Sequence, residues 1–459
     1  MEERRIMSNY IFSKFNYYQK SCFSDNFLIY NSLKRKIVRL SNEDAEKIGL
    51  TDKTNCKYIS ANEKLESMLV KYGIIIPEYY NENSEAHLKY LEEVSEPVLE
   101  LTIVPTYRCN FRCPYCYQDH EKGLIMDEGT QDAIIKFVRK HIANYTAVEI
   151  SWFGGEPLLC VDMILKINHA IKQICKTRYK AFKSSITTNG YLLTKAVFEK
   201  LLDCGVKRYF ITVDGLESEH DKQRYLANRS GTFNAILNNL LDIKTLPSTR
   251  HFSINIRSNI SKENIDNLDR YLEYMHKCFS SDSRFAFFFR PVYDWGGNSI
   301  DGFRENLLQE EADHAIFNKL LQSEYKLNYL EFFLDLTGSV VCYASKMNCF
   351  VINPDGSINK CTCEDMDHNN LVGYLLPSGD MQLNRSLLGQ WSSQYKDFEK
   401  CENCYMRGLC LRSYCVSASV MKNKHEARCF IAKDICDKLL LLLDKCDENY
   451  GYIIDLKYN

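Results

Sequence analysis

Cys109, Cys113 and Cys116 stand in the stretch TYRCNFRCPYCYQ with the spacing C-x3-C-x2-C. Four thiolates close a tetrahedral zinc site or saturate a cubane, whereas three on one short loop leave one iron of a [4Fe–4S] cluster open to an outside ligand. An open iron is a catalytic feature. Taken alone, the triplet also fits a zinc site completed by His120. A second group follows as Cys342-x6-Cys349-x11-Cys361 and then Cys401-x2-Cys404-x5-Cys410-x4-Cys415-x13-Cys429. In all, 20 of 459 residues are cysteine, far more than an ordinary cytosolic enzyme carries. A disulfide scaffold needs an oxidising compartment, yet MEERRIMSNYIFSKF lacks the apolar core of a signal peptide. The thiols therefore read as metal ligands in a soluble, cytoplasmic protein.

The charge, 58 basic against 60 acidic residues, argues against a strongly basic nucleic-acid binder. No run reaches the ~18 apolar residues of a membrane span, so no membrane partner is expected. The length implies two or three domains.

The elements that must position the first triplet are legible as alternation. From Val98 onward, strands at Leu99–Val104, Val148–Phe153, Ser184–Thr188, Tyr209–Val213, Phe252–Arg257 and Phe285–Arg290 alternate with helices at Asp127–His141, Val161–Lys176, Thr194–Cys204, Thr232–Ile243 and Lys262–Lys277. Alternation of this kind calls for a parallel sheet, and the expected fold is α/β, a partial (β/α)6 TIM-type barrel with its site at the strand C-termini. The triplet directly follows the first of these strands. Residues 1–95 read as a small winged-helix-like unit with a hairpin, Phe27–Tyr30 and Lys36–Leu40, and helices from Ser41 and over Ala61–Tyr72. Glu78–Pro97 reads as an acidic linker with room for one helix at Ala86–Val94. Residues 96–325 form the barrel, with 298–325 helical. Residues 326–459 form a cysteine-rich region with too little apolar periodicity for a core of its own and a terminal helix over Ile431–Asp447.

The C-x3-C-x2-C loop with Tyr115 before its last cysteine resembles the signature of radical S-adenosylmethionine (SAM) enzymes. SWFGGEP, with Gly154, Gly155 and Glu156 one β/α unit later, is similar to the family's second motif, which binds the methionyl amino group. The likeness continues in ITTNG, with Thr188 and Asn189, and in TVDG, with Thr212, and Arg224 matches the arginine that pairs with the SAM carboxylate. Asn255 and Ile256 are weaker candidates for adenosine contacts. The resemblance implies a SAM-binding cluster on Cys109, Cys113 and Cys116, whose open iron chelates SAM. Reductive cleavage then yields a 5′-deoxyadenosyl radical that abstracts hydrogen from substrate.

The downstream array resembles the SPASM extension of these enzymes, which implies two auxiliary clusters and so three [4Fe–4S] clusters in all. By that resemblance Cys342, Cys349, Cys361 and Cys415 hold one, and Cys401, Cys404, Cys410 and Cys429 the other; two interleaved zinc sites are the alternative for the same thiolates. Cys363 is a ninth thiol that could replace a ligand of the first. Cys22, Cys56, Cys160, Cys175, Cys204, Cys278, Cys436 and Cys446 read as ordinary apolar side chains. Enzymes with this extension mostly modify peptides, and the N-terminal pattern resembles the leader-recognition element of ribosomal-peptide maturases. The implied partners are a precursor peptide with its leader and a reductase or flavodoxin-type electron donor; the implied product is a thioether or carbon–carbon crosslink. An anaerobic sulfatase-maturating enzyme is the alternative, although Thr362 stands where that family has its aspartate base, with Glu364 or Asp365 nearby. A zinc-binding interaction protein leaves the Gly-Gly-Glu and Thr-Asn-Gly matches unexplained.

Overall fold

The computed structural model describes residues 9–50, 57–118, 123–294, 299–308, 311–339, 341–363, 369–392, 401–411, 416 and 434–456. Sixteen strands lie in this set, β1 Tyr10–Phe12, β2 Asn16–Lys20, β3 Asn26–Asn31, β4 Lys36–Ser41, β5 Ile75–Pro77, β6 Val98–Ile103, β7 Ala147–Trp152 and β8 Ala181–Thr188 coming first. They continue with β9 Val206–Thr212, β10 Ser253–Ile260, β11 Phe285–Pro291, β12 Cys349–Ile352, β13 Ser357–Asn359, β14 Leu371–Leu375, β15 Met381–Leu383 and β16 Ile454–Asp455.

Strands β6 to β11 are the six expected from the sequence. They lie side by side in chain order and run parallel, the order that repeated right-handed β/α units produce. Helices Glu128–His141, Val161–Thr177, Lys195–Cys204, Phe233–Lys244 and Leu268–Phe279 connect them. Local chemistry sets their ends: the Asp127 side chain accepts from the Thr130 N–H and that of Thr194 from the Val197 N–H, while Gly205 stops its helix at φ +105°. Their apolar stripes, such as Ile164, Ile167, Ile171 and Ile174, are buried against Val148, Ile150 and Ile186 in one large core.

Several expectations change. The last helix begins at Leu268, six residues late, because β10 runs on to Ile260 and the Asn264 side chain takes the Ser261 N–H at 2.8 Å, forming a turn. Among the described residues of 298–325, only Ala312–Gln322 is α-helical, preceded by two short 3-10 turns. The helix expected at Ala86–Val94 is present and longer, Glu82–Ser95, capped by Asn81, so the stretch is not a linker; its Ala86, Tyr90 and Val94 pack with Phe15, Leu33, Val341 and Leu411. The cysteine-rich region adds strands to the central sheet. β12 pairs in parallel with β6, and β13, β14 and β15 continue antiparallel, so one ten-stranded sheet spans both regions. The Asp355-Gly356 turn joins β12 to β13, with Gly356 at φ +78°.

At the N-terminus β3 and β4 form the expected hairpin. Neither is an edge, since β2 covers β3 and β16 pairs in parallel with β4. No helix among the described residues is long and apolar enough to cross a membrane.

Candidate active site

The loop after β6 carries Cys109, Cys113 and Cys116, and the turn after β7 braces it. Gly155 N–H donates to Thr106 O at 3.1 Å and Glu156 N–H to Arg108 O at 2.8 Å. Glycine is required by this approach. A Cβ on Gly155 would lie 2.2 Å from Arg108 O and 2.5 Å from Tyr107 O, and one on Gly154, at φ +122°, 2.7 Å from Thr106 O. Glu156 is fully buried. Its carboxylate accepts from Leu158 N–H at 2.9 Å, Thr188 Oγ1 at 2.6 Å and Asn189 N–H at 2.7 Å. Burial raises its pKa while those donors and Arg224 lower it. Asn189 Nδ2 donates to Asn110 Oδ1 at 2.7 Å, closing a ring of contacts from the third motif back to the cysteine loop.

A second network starts at Tyr115. Its hydroxyl donates to Asp214 Oδ2 and accepts from Arg224 Nη1 at 2.9 Å and Asn259 Nδ2 at 3.4 Å. Asp214 Oδ1 accepts from Asn259 N–H at 2.7 Å. Burial pushes the Asp214 carboxyl up, against the lowering effect of Arg224. Arg224 caps the short helix Glu217–Gln223 and is 8% exposed, its Nε without a hydrogen-bond partner. His220 fixes its backbone. Because His220 Nδ1 accepts the Asp214 N–H at 3.1 Å, its proton sits on Nε2, which donates to Thr232 Oγ1 at 3.0 Å; that hydroxyl donates to Arg224 O at 2.5 Å. Thr212 ends β9, in register with Arg257.

The thiols suit a thiolate-bound metal. Burial pushes Cys109 and Cys113 up to about 12 and raises Cys116, while the Arg224 cation lowers all three. Each of the three has another as its electrostatic neighbour. Metal ligation displaces the proton that burial otherwise retains, and the cation offsets the resulting thiolate charge. Among the described residues no three potential ligands converge as they would around a single ion, so the fit rests on loop composition and charge environment.

Cys342, Cys349, Cys361 and Cys363 gather near Tyr343. Its hydroxyl donates to Cys361 Sγ at 3.8 Å, and Cys342 and Cys363 are electrostatic neighbours of the same ring. Cys342 is also a neighbour of Cys349. Tyr117, one residue past Cys116, hydrogen-bonds Cys363, so the downstream cysteines meet the first loop. Cys401 and Cys404 share a turn, with Cys404 N–H on Cys401 O at 3.3 Å, and Cys410 ends the helix Arg407–Cys410. Cys415 and Cys429 lie outside the described residues, as do His120, Glu364, Asp365 and Cys56.

Sequence reading missed Asp214, Asn259 and Asn110 as partners of this site, and it missed the sheet's polar face. In register across β6 to β11, one face carries Thr102, Ser151, Ser185, Thr187, Arg257 and Arg290 while the other packs on the helices. Buried parallel strands are usually apolar on both faces. The alternation in SINIRSNI, Ser253–Ile260, was the available signal.

Residues 103–275 match the family described as the Radical SAM superfamily. Fe-coproporphyrin III synthase of Methanosarcina barkeri is 25% identical over 248 residues, 53% of this chain and 55% of that protein, so the chain spans about half of that relative's length. The cysteine-type anaerobic sulfatase-maturating enzyme of Clostridium novyi is 26% identical over 343 residues, 69% of this chain and 87% of the enzyme. Among solved structures, native anSMEcpe with bound AdoMet and Kp18Cys peptide superposes with a TM-score of 0.57 at 17% identity, covering 77% of this chain and 100% of that one; the likeness is one of fold. The match gives the chain a radical SAM domain over residues 103–275.

Proposed function

We propose that this enzyme modifies a ribosomally made precursor peptide, abstracting hydrogen from it and installing a thioether or carbon–carbon crosslink. When bound, the cluster and SAM supply the 5′-deoxyadenosyl radical. This chain's residues do the rest. Cys109, Cys113 and Cys116 would hold the first cluster; Glu156, with Thr188 and Asn189, stiffens the turn facing the methionyl end; Tyr115 and Asp214 orient Arg224 toward the carboxylate, with Thr212 beside them. Cys342, Cys349, Cys361, Cys401, Cys404, Cys410, Cys415 and Cys429 would serve two auxiliary clusters, with Cys363 competing for a place in the first. An electron donor of the reductase or flavodoxin type would reduce them in the cytoplasm.

The observation that carries this reading is the Tyr117–Cys363 contact, which joins the downstream cysteines to the catalytic loop within one continuous sheet. The solved peptide complex of the same fold supports a peptide substrate by analogy. Sulfatase maturation is the second reading, favoured by the 87% coverage of the Clostridium enzyme. Against it, the position of the expected base is Thr362, whose hydroxyl is engaged by Tyr343 OH at 2.8 Å. Mass spectrometry decides. Reconstituted enzyme with SAM and reductant is given either a precursor encoded beside its gene or a cysteine-containing sulfatase peptide. Loss of two hydrogens from the precursor, with a crosslinked fragment pattern, is expected; formylglycine in the sulfatase peptide and an unchanged precursor would reject the proposal.

A further inference from the structure

Arg257 is the cation on the polar face of the sheet that the network above leaves unused. It stands on β10 between Thr212 of β9 and Phe288 of β11, and its Nε donates to Asn259 Oδ1 at 2.8 Å. Among the described residues it forms no ion pair with a carboxylate, and its side chain is exposed. That exposure is toward the protein's own polar face. Desolvation lowers its pKa, and its electrostatic neighbours are Asp214 and Tyr115 on one side, Arg290 on the other, and Tyr117. Asp214 does not neutralise it by contact, because Tyr115 and Asn259 already occupy that carboxylate.

Two further groups on the same face are incomplete. Asn255, two residues earlier on β10, is 1% exposed, and neither its Oδ1 nor its Nδ2 has a hydrogen-bond partner. Arg290 is held through Nη2 by Asp335 on the helix Leu330–Thr337, while its buried Nη1 has no hydrogen-bond partner and approaches Asp313 only at 4.0 Å. A buried amide left unsatisfied is costly, and the exposed Arg257 guanidinium on the same face is free to take an anion. Both are explained by a polar, anionic ligand that is present during turnover.

We propose that Arg257, supported by Arg290, anchors a carboxylate of the substrate beside the Cys109–Cys116 loop. The planar fork of arginine matches a carboxylate bidentately, so the site selects the charge and the geometry together. Resting on the peptide reading, the inference names the substrate class: a peptide with an Asp or Glu side chain, or a terminal carboxylate, at or next to the attacked residue. Arg224 remains with SAM, so the two arginines divide two carboxylates between them.

The test uses the full-length, anaerobically reconstituted protein with SAM bound and measures dissociation constants by saturation-transfer NMR. The probes are N-acetyl-aspartate N-methylamide, its asparagine counterpart, N-acetylglycine and succinate. The aspartate probe is expected to bind about tenfold or more tighter than asparagine, the scale of one charge-assisted contact. Arg257→Gln should abolish that preference and Arg257→Lys retain part of it, with SAM affinity unchanged in both; iron content and melting temperature confirm folding. If N-acetylglycine matches the aspartate probe, the anchored group is a terminal carboxylate and the proposal stands in that form. Equal affinities for aspartate and asparagine, or a preference that survives Arg257→Gln, would overturn it, as would a parallel loss of SAM affinity, which would assign Arg257 to the cofactor. Succinate binding as tightly as the aspartate probe, and still dependent on Arg257, leaves the carboxylate site intact and removes the peptide reading alone.

Discussion

Gly155→Ala should disable the site although it adds one methyl group. The new Cβ would stand 2.2 Å from Arg108 O and 2.5 Å from Tyr107 O, and since such contacts do not fall below 3.0 Å, the two backbones must part by at least 0.8 Å (3.0 less 2.2). That separation also lengthens the 3.1 Å bond to Thr106 O and the 2.8 Å bond to Arg108 O. Overpacking costs about 1–3 kcal/mol, and two weakened backbone bonds add about 0.5–1.5 kcal/mol each. The expected destabilisation is about 2–6 kcal/mol, a large part of a domain's net stability. The displaced atoms lead directly into Cys109. A misplacement near 1 Å lowers rates by about 10²-fold, so 5′-deoxyadenosine formation should fall by about that factor even where the variant still folds. Gly129→Ala is the control, because its Cβ meets only Asp127 Oδ1 at 3.5 Å, and helix propensity predicts a gain of about 0.5–1 kcal/mol. The assays are anaerobic thermal melts and chromatographic quantification of 5′-deoxyadenosine. A Gly155→Ala protein with wild-type melting and cleavage within twofold would refute the bracing role of the turn.

Tyr115→Phe keeps the ring, which stacks edge-on against Phe303 at 5.7 Å, but deprives Asp214 and Arg224 of the shared hydroxyl; a loss of about 3–5 kcal/mol in stability and weaker SAM binding by calorimetry are expected, and unchanged affinity would detach Tyr115 from the cofactor. Burial holds His220 well below its usual pKa, so below about pH 6.5 the unfolded chain takes up a proton that the folded one refuses. Stability contributed by neutral His220 is then lost as pH falls, by up to about 1.4 kcal/mol per unit; His220→Gln should flatten that slope in denaturant melts between pH 6.5 and 5. Replacing Cys109, Cys113 and Cys116 together by alanine should remove about four irons from a total of about twelve and abolish SAM cleavage, whereas stoichiometric zinc in protein prepared without oxygen would reject the cluster assignment.

The parallel sheet and the cysteine loop's place on it were legible because both are local patterns. Strand alternation needs only a few residues in sequence, and a triplet at a strand's C-terminal end needs only its neighbours. Asp214, Asn259 and Asn110 were hidden for the opposite reason: Tyr115 meets Asp214 across 99 residues and Asn259 across 144, and a single sequence holds no trace of such pairing. The same applies to β12. Cys349–Ile352 reads as a fragment among cysteines, and its pairing with β6 and β13 makes it a sheet strand. Helix starts moved where a side chain competed for the backbone, as Asn264 did at Ser261.

The N-terminal unit shows how tertiary contacts revise a proposal about function. Residues 1–95 are proposed to recognise the leader, which invites a truncation at Val98 to separate recognition from chemistry. The packing argues that this truncation will not leave a working parallel-sheet region. Leu28, Tyr30 and Ile37 are buried in the large core, and the Tyr30 hydroxyl donates to Leu336 O at 2.7 Å. Arg39 meets Asp444 at 2.6 Å, Asp447 at 3.0 Å and Asp455 at 2.7 Å, and its removal leaves three carboxylates without their common cation. Removing Leu28, Tyr30 and Ile37 exposes the apolar surface they cover in the large core, at about 1.5–3 kcal/mol for each side chain lost, which together approaches a domain's net stability. The truncated chain is therefore expected to aggregate, and soluble truncated protein with wild-type SAM cleavage would contradict this packing argument. Leader recognition is better tested on the full chain. With β3 and β4 both covered, β2 and the two-residue β16 are the outer strands of that sheet, and strand addition at the longer β2 depends on backbone donors of the leader. Proline at alternate leader positions should weaken binding at the hydrogen-bonding set and spare the other; uniform tolerance of proline would remove β2 as the docking edge.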